Sequence, residues 1–228
     1  MDCKVSGIEW NHIFDLPLAI ESFPYILQGI GYTILISFGG MAIGLVLGLA
    51  LALSRTSKLF LFRWPARIFI SYMRGTPMLV FLFLLYFGLP NIGIQFSAVT
   101  AALIGFSLHS SAYMAEIIRS SLNSVDKGQW EAATALGLSY GQSLLSVILP
   151  QATRIAIPPL SNVLLDLIKA SSLAAMITVP DLFQRAKIVG GREFDYMTVY
   201  ILVGLIYWGI CLLVEIWQNH LEKRSTYV

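Results

Sequence analysis

Charge is scarce in this chain. Of 228 residues only 12% are Asp, Glu, Lys or Arg, while 57% are hydrophobic. An ordinary soluble domain is nearer a quarter charged and half apolar. The shortage excludes a disordered chain, a nucleic-acid binder and a typical water-soluble enzyme. Cysteine is scarce too: Cys3 and Cys211 offer neither metal-ligand spacing nor a disulfide framework. The three histidines, His12, His109 and His220, are scattered, and there is no HExxH or paired-carboxylate motif. No G-x-x-x-x-G-K-[ST] phosphate loop occurs. The chain therefore reads as non-catalytic, with no cofactor of its own and no metal site.

What the chain has instead is long runs without charge. Ser22 to Ser54, Gly75 to Ala115 and Tyr196 to Val214 contain no Asp, Glu, Lys or Arg. About 20 apolar residues span a bilayer as a helix. The expected fold is all-α: one polytopic membrane domain over residues 1–228, with five transmembrane helices. The spans are placed roughly at 23–53, 64–89, 97–118, 155–180 and 196–218, the second broken near Arg74, Gly75, Thr76 and Pro77. Residues 1–22 lack a signal-peptide pattern and read as an outer interfacial segment, with Pro17 disturbing any helix. Gly40, Gly44 and Gly48 recur every four residues, so another helix can approach closely there, within the subunit or across a dimer.

Basic residues orient the spans. Arg55, Lys58, Arg63, Arg67, Arg119, Lys127, Arg154, Lys223 and Arg224 fall at one set of ends. Lys4, Arg185, Lys187 and Arg192 fall at the other. The richer set is expected in the cytoplasm, leaving the N terminus outside and the C terminus inside. Residues 119–154 then form a cytoplasmic loop, expected as two short helices around a turn at Gly137. Trp130, Ala132, Ala135 and Leu136, with Glu131 beside them, form a candidate contact surface for a cytoplasmic partner. A plain amphipathic hairpin on the membrane is the other reading.

Ionisable residues inside spans are costly and are candidates for function. Asp166 and Lys169 share a helix face, either as a neutralising pair or as receptors for the ammonium and carboxylate of a zwitterion. Asn162 lies one turn before them. His109 and Ser110 put polar groups mid-span, either bonded to a neighbouring helix or lining a path. Glu116 and Arg119 read as a structural pair, Arg74 as architecture of the inner mouth, and Glu215 as paired or snorkelling.

Glu131, Ala132, Ala133, Gly137, Val147, Leu149 and Pro150 resemble the EAA loop of bacterial ABC importer permeases, with Val147 where the family has isoleucine. Tyr72, Arg74, Gly75, Thr76 and Pro77 resemble a motif of permeases for polar amino acids, as do Ala112, Tyr113, Ala115, Glu116 and Arg119. The likeness extends over about residues 20 to 220 and continues through Pro158, Pro159, Asn162, Lys169, Ser172 and Leu173. The family often carries Lys-Asp-Thr-Ser-Leu where this chain has Lys169, Ala170, Ser171, Ser172 and Leu173. If the family's aspartate helps hold a cationic ligand, its replacement by Ala170 argues against arginine or lysine as substrate.

The resemblance implies the transmembrane subunit of a type I ABC importer working by alternating access. Its partners are an ATPase dimer that holds ATP and Mg, an extracytoplasmic solute-binding protein and a second permease, identical or similar. Residues 130–137 then couple to the ATPase, while Asn162, Asp166, Lys169, Ser171, Ser172, His109 and Ser110 line the substrate pathway. The site is the bacterial inner membrane and the substrate a polar amino acid. The pattern looks most like permeases for L-cystine, with glutamine, histidine, arginine or another sulfur-containing amino acid as alternatives. A gradient-driven carrier is the other class, but it needs no docking loop, and internal repeats of the kind such carriers often have are absent.

Overall fold

The computed structural model describes residues 13–226, with side chains to His220. Cys3, Lys4, Ile8, Glu9, Trp10, Asn11 and His12 lie outside the described residues, as do the side chains of Lys223 and Arg224. All regular structure among the described residues is helical.

Helix α1 (Leu16–Leu27) opens with Asp15, whose carboxylate accepts the Leu18 amide at 3.0 Å. Pro17 does not disturb it, contrary to the sequence expectation. It sits in the first turn, where a missing N–H costs no intrahelical bond. The first span is therefore two elements: the chain breaks at Gln28 and Gly29 before α2 (Ile30–Thr56). Gly29 lies directly against the backbone of Asp181 and Leu182, and a side chain there would collide with it.

Helix α2 packs along α5 (Ala98–Asn123), and its glycines decide how closely. A Cβ at Gly40 would lie 3.1 Å from Phe106 Cβ, and one at Gly48 would lie 2.9 Å from Met114 Cβ. The stripe thus serves packing within the subunit. Lipid tails are as apolar as leucine, so helices associate in a bilayer through such close contact and interhelical hydrogen bonds. Ser110 Oγ donates to the Gly40 carbonyl at 3.2 Å, and Ser37 Oγ donates to the Leu167 carbonyl at 3.3 Å.

The second apolar segment is broken where Thr76 and Pro77 stand. Helix α3 (Phe60–Gly75) meets α4 (Met78–Phe83) and its π and 3₁₀ continuation to Ile92 at 107°. Four other helices are long and apolar enough to cross a membrane, and this bent pair is the fifth candidate.

The segment 119–154, expected as a loop of two short helices, is largely helical and takes in the ends of the helices on either side. Helix α5 runs on to Asn123 and α6 spans Lys127–Ala135. From Tyr140 the chain is helical again: α7 (Tyr140–Ser143), a π turn (Leu144–Ile148), α8 (Leu149–Ala170) and a 3₁₀ turn (Ser171–Ile177). A small core of Val125, Ile148 and Ala152, with Leu122, Leu144 and Val147 against it, holds these extensions together. The π turn precedes Pro150, whose ring and absent N–H interrupt the regular ladder.

A further helix, α9 (Leu182–Glu193), lies where the sequence reading placed only a connection. Asp181 caps it, accepting the Gln184 amide at 2.8 Å, and accepts from Tyr207 Oη at 3.3 Å. Helix α10 (Tyr196–Thr226) completes the chain. Two main cores result. One joins α2, α3, α4, α5 and α8 around Phe106, Leu82 and Met114. The other joins α1, α9 and α10 around Ile26, Leu182 and Val203.

Candidate functional site

Three arrangements carry the residues singled out in the sequence. The first is a cavity of about 270 Å³ between α5 and α8, closed on one side by Met78. Helix α5 supplies Phe106, His109, Ser110 and Tyr113, and α8 supplies Val163, Asp166, Leu167 and Ala170. Both sets repeat at i, i+3, i+4 and i+7, which is one face of a helix. The lining is apolar apart from His109, Ser110, Tyr113 and Asp166. The His109 and Tyr113 rings lie 5.2 Å apart, and the Arg74 guanidinium lies 5.7 Å from the Tyr113 ring centre.

Asp166 pairs with Lys169 at 2.9 Å, yet their side chains are 74% and 60% exposed. Asn162, one turn earlier on α8, is exposed as well. Ser172 Oγ is engaged with the Lys169 carbonyl at 2.8 Å. Ser171 does not line the cavity: it is buried, bonds the Ile168 carbonyl at 2.7 Å and lies 3.5 Å from Tyr207 Oη. Ala170 presents its methyl to the cavity wall. Sequence reasoning did not assign Phe106, Tyr113, Val163 or Leu167 to the cavity. Their spacing from His109 and Asp166 was the available signal.

The second arrangement is a charge hub. Glu116 receives Arg55 from α2, Arg74 from α3 at 3.7 Å and Arg119 from its own helix at 3.1 Å. Its side chain is only 17% exposed. One carboxylate thus ties three helices together, and the Arg119 pair expected from spacing is one spoke of three.

The third arrangement is the turn from α6 into α7. Asp126 caps α6 by accepting the Gly128 amide at 2.6 Å. The helix ends at Gly137, whose φ of +79° is strained for any residue with a Cβ. Ser139 and Gln142 then form a reciprocal capping box on α7. Ala133 is buried, and Trp130 turns inward, its ring stacked on Tyr140 at 5.3 Å. Gln151 Nε2 donates to Gln129 Oε1 at 3.0 Å and closes the base. Glu131, Ala132, Ala135 and Leu136 remain exposed, Leu136 at 80%. Leu149 and Pro150 lie at the start of α8, beyond the turn.

Comparison with known proteins gives the family. The sequence profile of the family described as binding-protein-dependent transport system inner membrane component matches residues 44–227. The probable amino-acid ABC transporter permease protein YckA of Bacillus subtilis (strain 168) is 67% identical over 96% of this chain and 97% of the relative. The L-cystine transport system permease protein TcyB of the same organism is 43% identical over 96% of this chain and 92% of its own length. A crystal structure of an amino acid ABC transporter with histidines superposes with a TM-score of 0.88 at 33% identity, covering 92% of this chain and 98% of that one. An inward-facing structure of the MetNI methionine ABC transporter shares the fold, with a TM-score of 0.67 at 19% identity over 93% of this chain and 99% of its own. Membership implies, in general terms, ATPase and binding-protein partners. The chain belongs to the family of binding-protein-dependent transport inner membrane components and is a non-catalytic permease subunit of an ABC importer.

Proposed function

We propose that this permease serves an ATP-driven importer for a polar amino acid, and that the substrate is L-cystine. The observation that carries the reading is the Asp166–Lys169 pair, exposed on a spanning helix at the edge of the α5–α8 cavity. Lipid is a costly neighbour for such charges, so a water-filled path or a second polypeptide covers them. An amino acid zwitterion matches the pair: Lys169 meets its carboxylate and Asp166 its ammonium, with Asn162 adding amide contacts. L-cystine is two such halves joined by a disulfide. A second copy of the chain, related by a twofold axis, would present a second pair to the second half. The 43% identical L-cystine permease supports this choice. Ala170 in the cavity wall, where the resembling motif has aspartate, argues against a cationic substrate.

In this reading the exposed Glu131 to Leu136 surface docks on the ATPase dimer, which holds ATP and Mg. A solute-binding protein delivers substrate at the opposite face, with the N terminus outside and the C terminus in the bacterial cytoplasm. The test is uptake of labelled L-cystine by proteoliposomes holding the assembled importer, with unlabelled cystine, glutamine, histidine and arginine as competitors. ATP-dependent uptake displaced best by cystine is expected. Displacement by glutamine or histidine instead would replace the substrate and leave the mechanism. Uptake driven by an ion gradient without ATP would remove both.

A further inference from the structure

The end of the bundle that carries the α6 turn holds a polar cavity that meets the α5–α8 cavity at Tyr113. Its volume is about 550 Å³, and Arg55, Arg67, Arg74, Ser71 and Tyr113 line it. Its charge is unbalanced. Glu116 is the carboxylate that Arg55 and Arg74 share, and Arg119 draws on it too. Arg67 is exposed and, among the described residues, has no carboxylate within ion-pair distance. Several guanidiniums thus face a space with one negative group.

The surroundings say which anion fits. A groove of about 450 Å³ begins at the same Arg67 and Ser71 and continues along Trp64, Ile68 and Tyr72. These three side chains are exposed, as are Phe60 and Leu61 one turn earlier on α3. Such an apolar face has the chemistry to take an acyl chain. A basic head pocket and an apolar groove therefore meet at Arg67 and Ser71. A soluble phosphate would use only the pocket, whereas a phospholipid uses both. Guanidinium forks grip phosphate oxygens two at a time, and an anionic headgroup adds the charge that the pocket lacks.

We propose that this pocket and groove bind one anionic phospholipid, its phosphate held by Arg67 with Arg55 and Arg74 and an acyl chain laid along Trp64 and Ile68. The site lies beside the Glu116 hub, so an occupied site would brace the contact of α3 with α2 and α5.

The test is native mass spectrometry on the intact importer, stripped of lipid in detergent and titrated with phosphatidylglycerol or phosphatidylcholine of the same acyl chains. Phosphatidylglycerol is expected to be retained about tenfold more tightly, and Arg67→Gln to remove most of that advantage. Trp64→Ala should weaken retention of both lipids, while Lys127→Gln, an exposed charge loss elsewhere, should change neither. Equal retention of the two lipids, or an undiminished preference in Arg67→Gln, would overturn the proposal. A parallel arm adds inorganic phosphate. Displacement of phosphatidylglycerol by millimolar phosphate, with no effect of Trp64→Ala, would assign the pocket to a soluble anion and overturn the lipid assignment.

Discussion

Two groups of charge stand inside apolar helices, and they are held in opposite ways. Glu116 is mostly buried and gathers three arginines from three helices. Asp166 and Lys169 are mostly exposed, sit on one helix and have only each other. A charge enclosed by several partners fixes the positions of the elements that carry them. A pair held only by itself fixes nothing beyond its own turn, and in a bilayer it needs something else to face. The first arrangement is architecture and the second is a surface awaiting contact, although the two read alike as intramembrane charges in the sequence.

The comparison can be broken by mutation. Glu116→Ala should have the largest effect on folding: it leaves three cations clustered where α2, α3 and α5 meet. A loss on the order of 2 kcal/mol is expected, below that for a fully buried pair because solvent reaches the site. Thermal denaturation of the purified importer measures it, and an unchanged midpoint would demote the hub to a surface pair. Lys169→Ala should leave assembly and melting nearly unchanged but cut uptake about tenfold or more, through loss of a charged contact. Normal transport by that variant would remove the substrate role of the pair. Exchanging the two residues, Asp166→Lys with Lys169→Asp, keeps the ion pair but moves each charge by three positions. Partial recovery of uptake over the single variant would indicate that neutralisation is the pair's main task.

Glu131→Lys touches neither group. It should leave the spans folded while separating ATP hydrolysis from uptake, so normal ATP-driven uptake would discount the docking role of the exposed α6 face. Gly137→Ala should have the smallest effect, about 1 kcal/mol of local strain at a left-handed position, read as a small drop in melting temperature. A larger loss of coupled uptake than of stability would show that the turn's shape, and not just its existence, matters.

Much of this was legible in the sequence. The glycines at 40, 44 and 48 announce a close approach, and the break at Thr76 and Pro77 was placed correctly. The sequence could not say which helix fills the glycine stripe, because Phe106 and Met114 are ordinary apolar residues until packed. The two short helices and the turn at Gly137 are legible in residues 119–154, but the continuation of the flanking helices into that segment is not. Helices continue past the apolar limit when a small core such as Val125, Ile148 and Ala152 receives them. Helix α9 was missed because Arg185, Lys187 and Arg192 dilute its apolar face. Asp181 followed by Gln184 three residues later was the readable start signal. Ser171 joins the expected pathway only through the family resemblance, and the 3₁₀ turn that starts at that residue leaves it buried, bonded to the Ile168 carbonyl.

The helical run from Tyr140 to Ile177 has a mechanical consequence. Asp166 lies 26 positions beyond Tyr140, about 40 Å along a helix. A rod of that kind resists stretching far more than bending. An axial load that enters at Leu149 would therefore pass along α8 to the cavity wall with little stretch. The yielding place is the π turn at Leu144–Ile148, close to the loaded end, where a short arm turns against a long one.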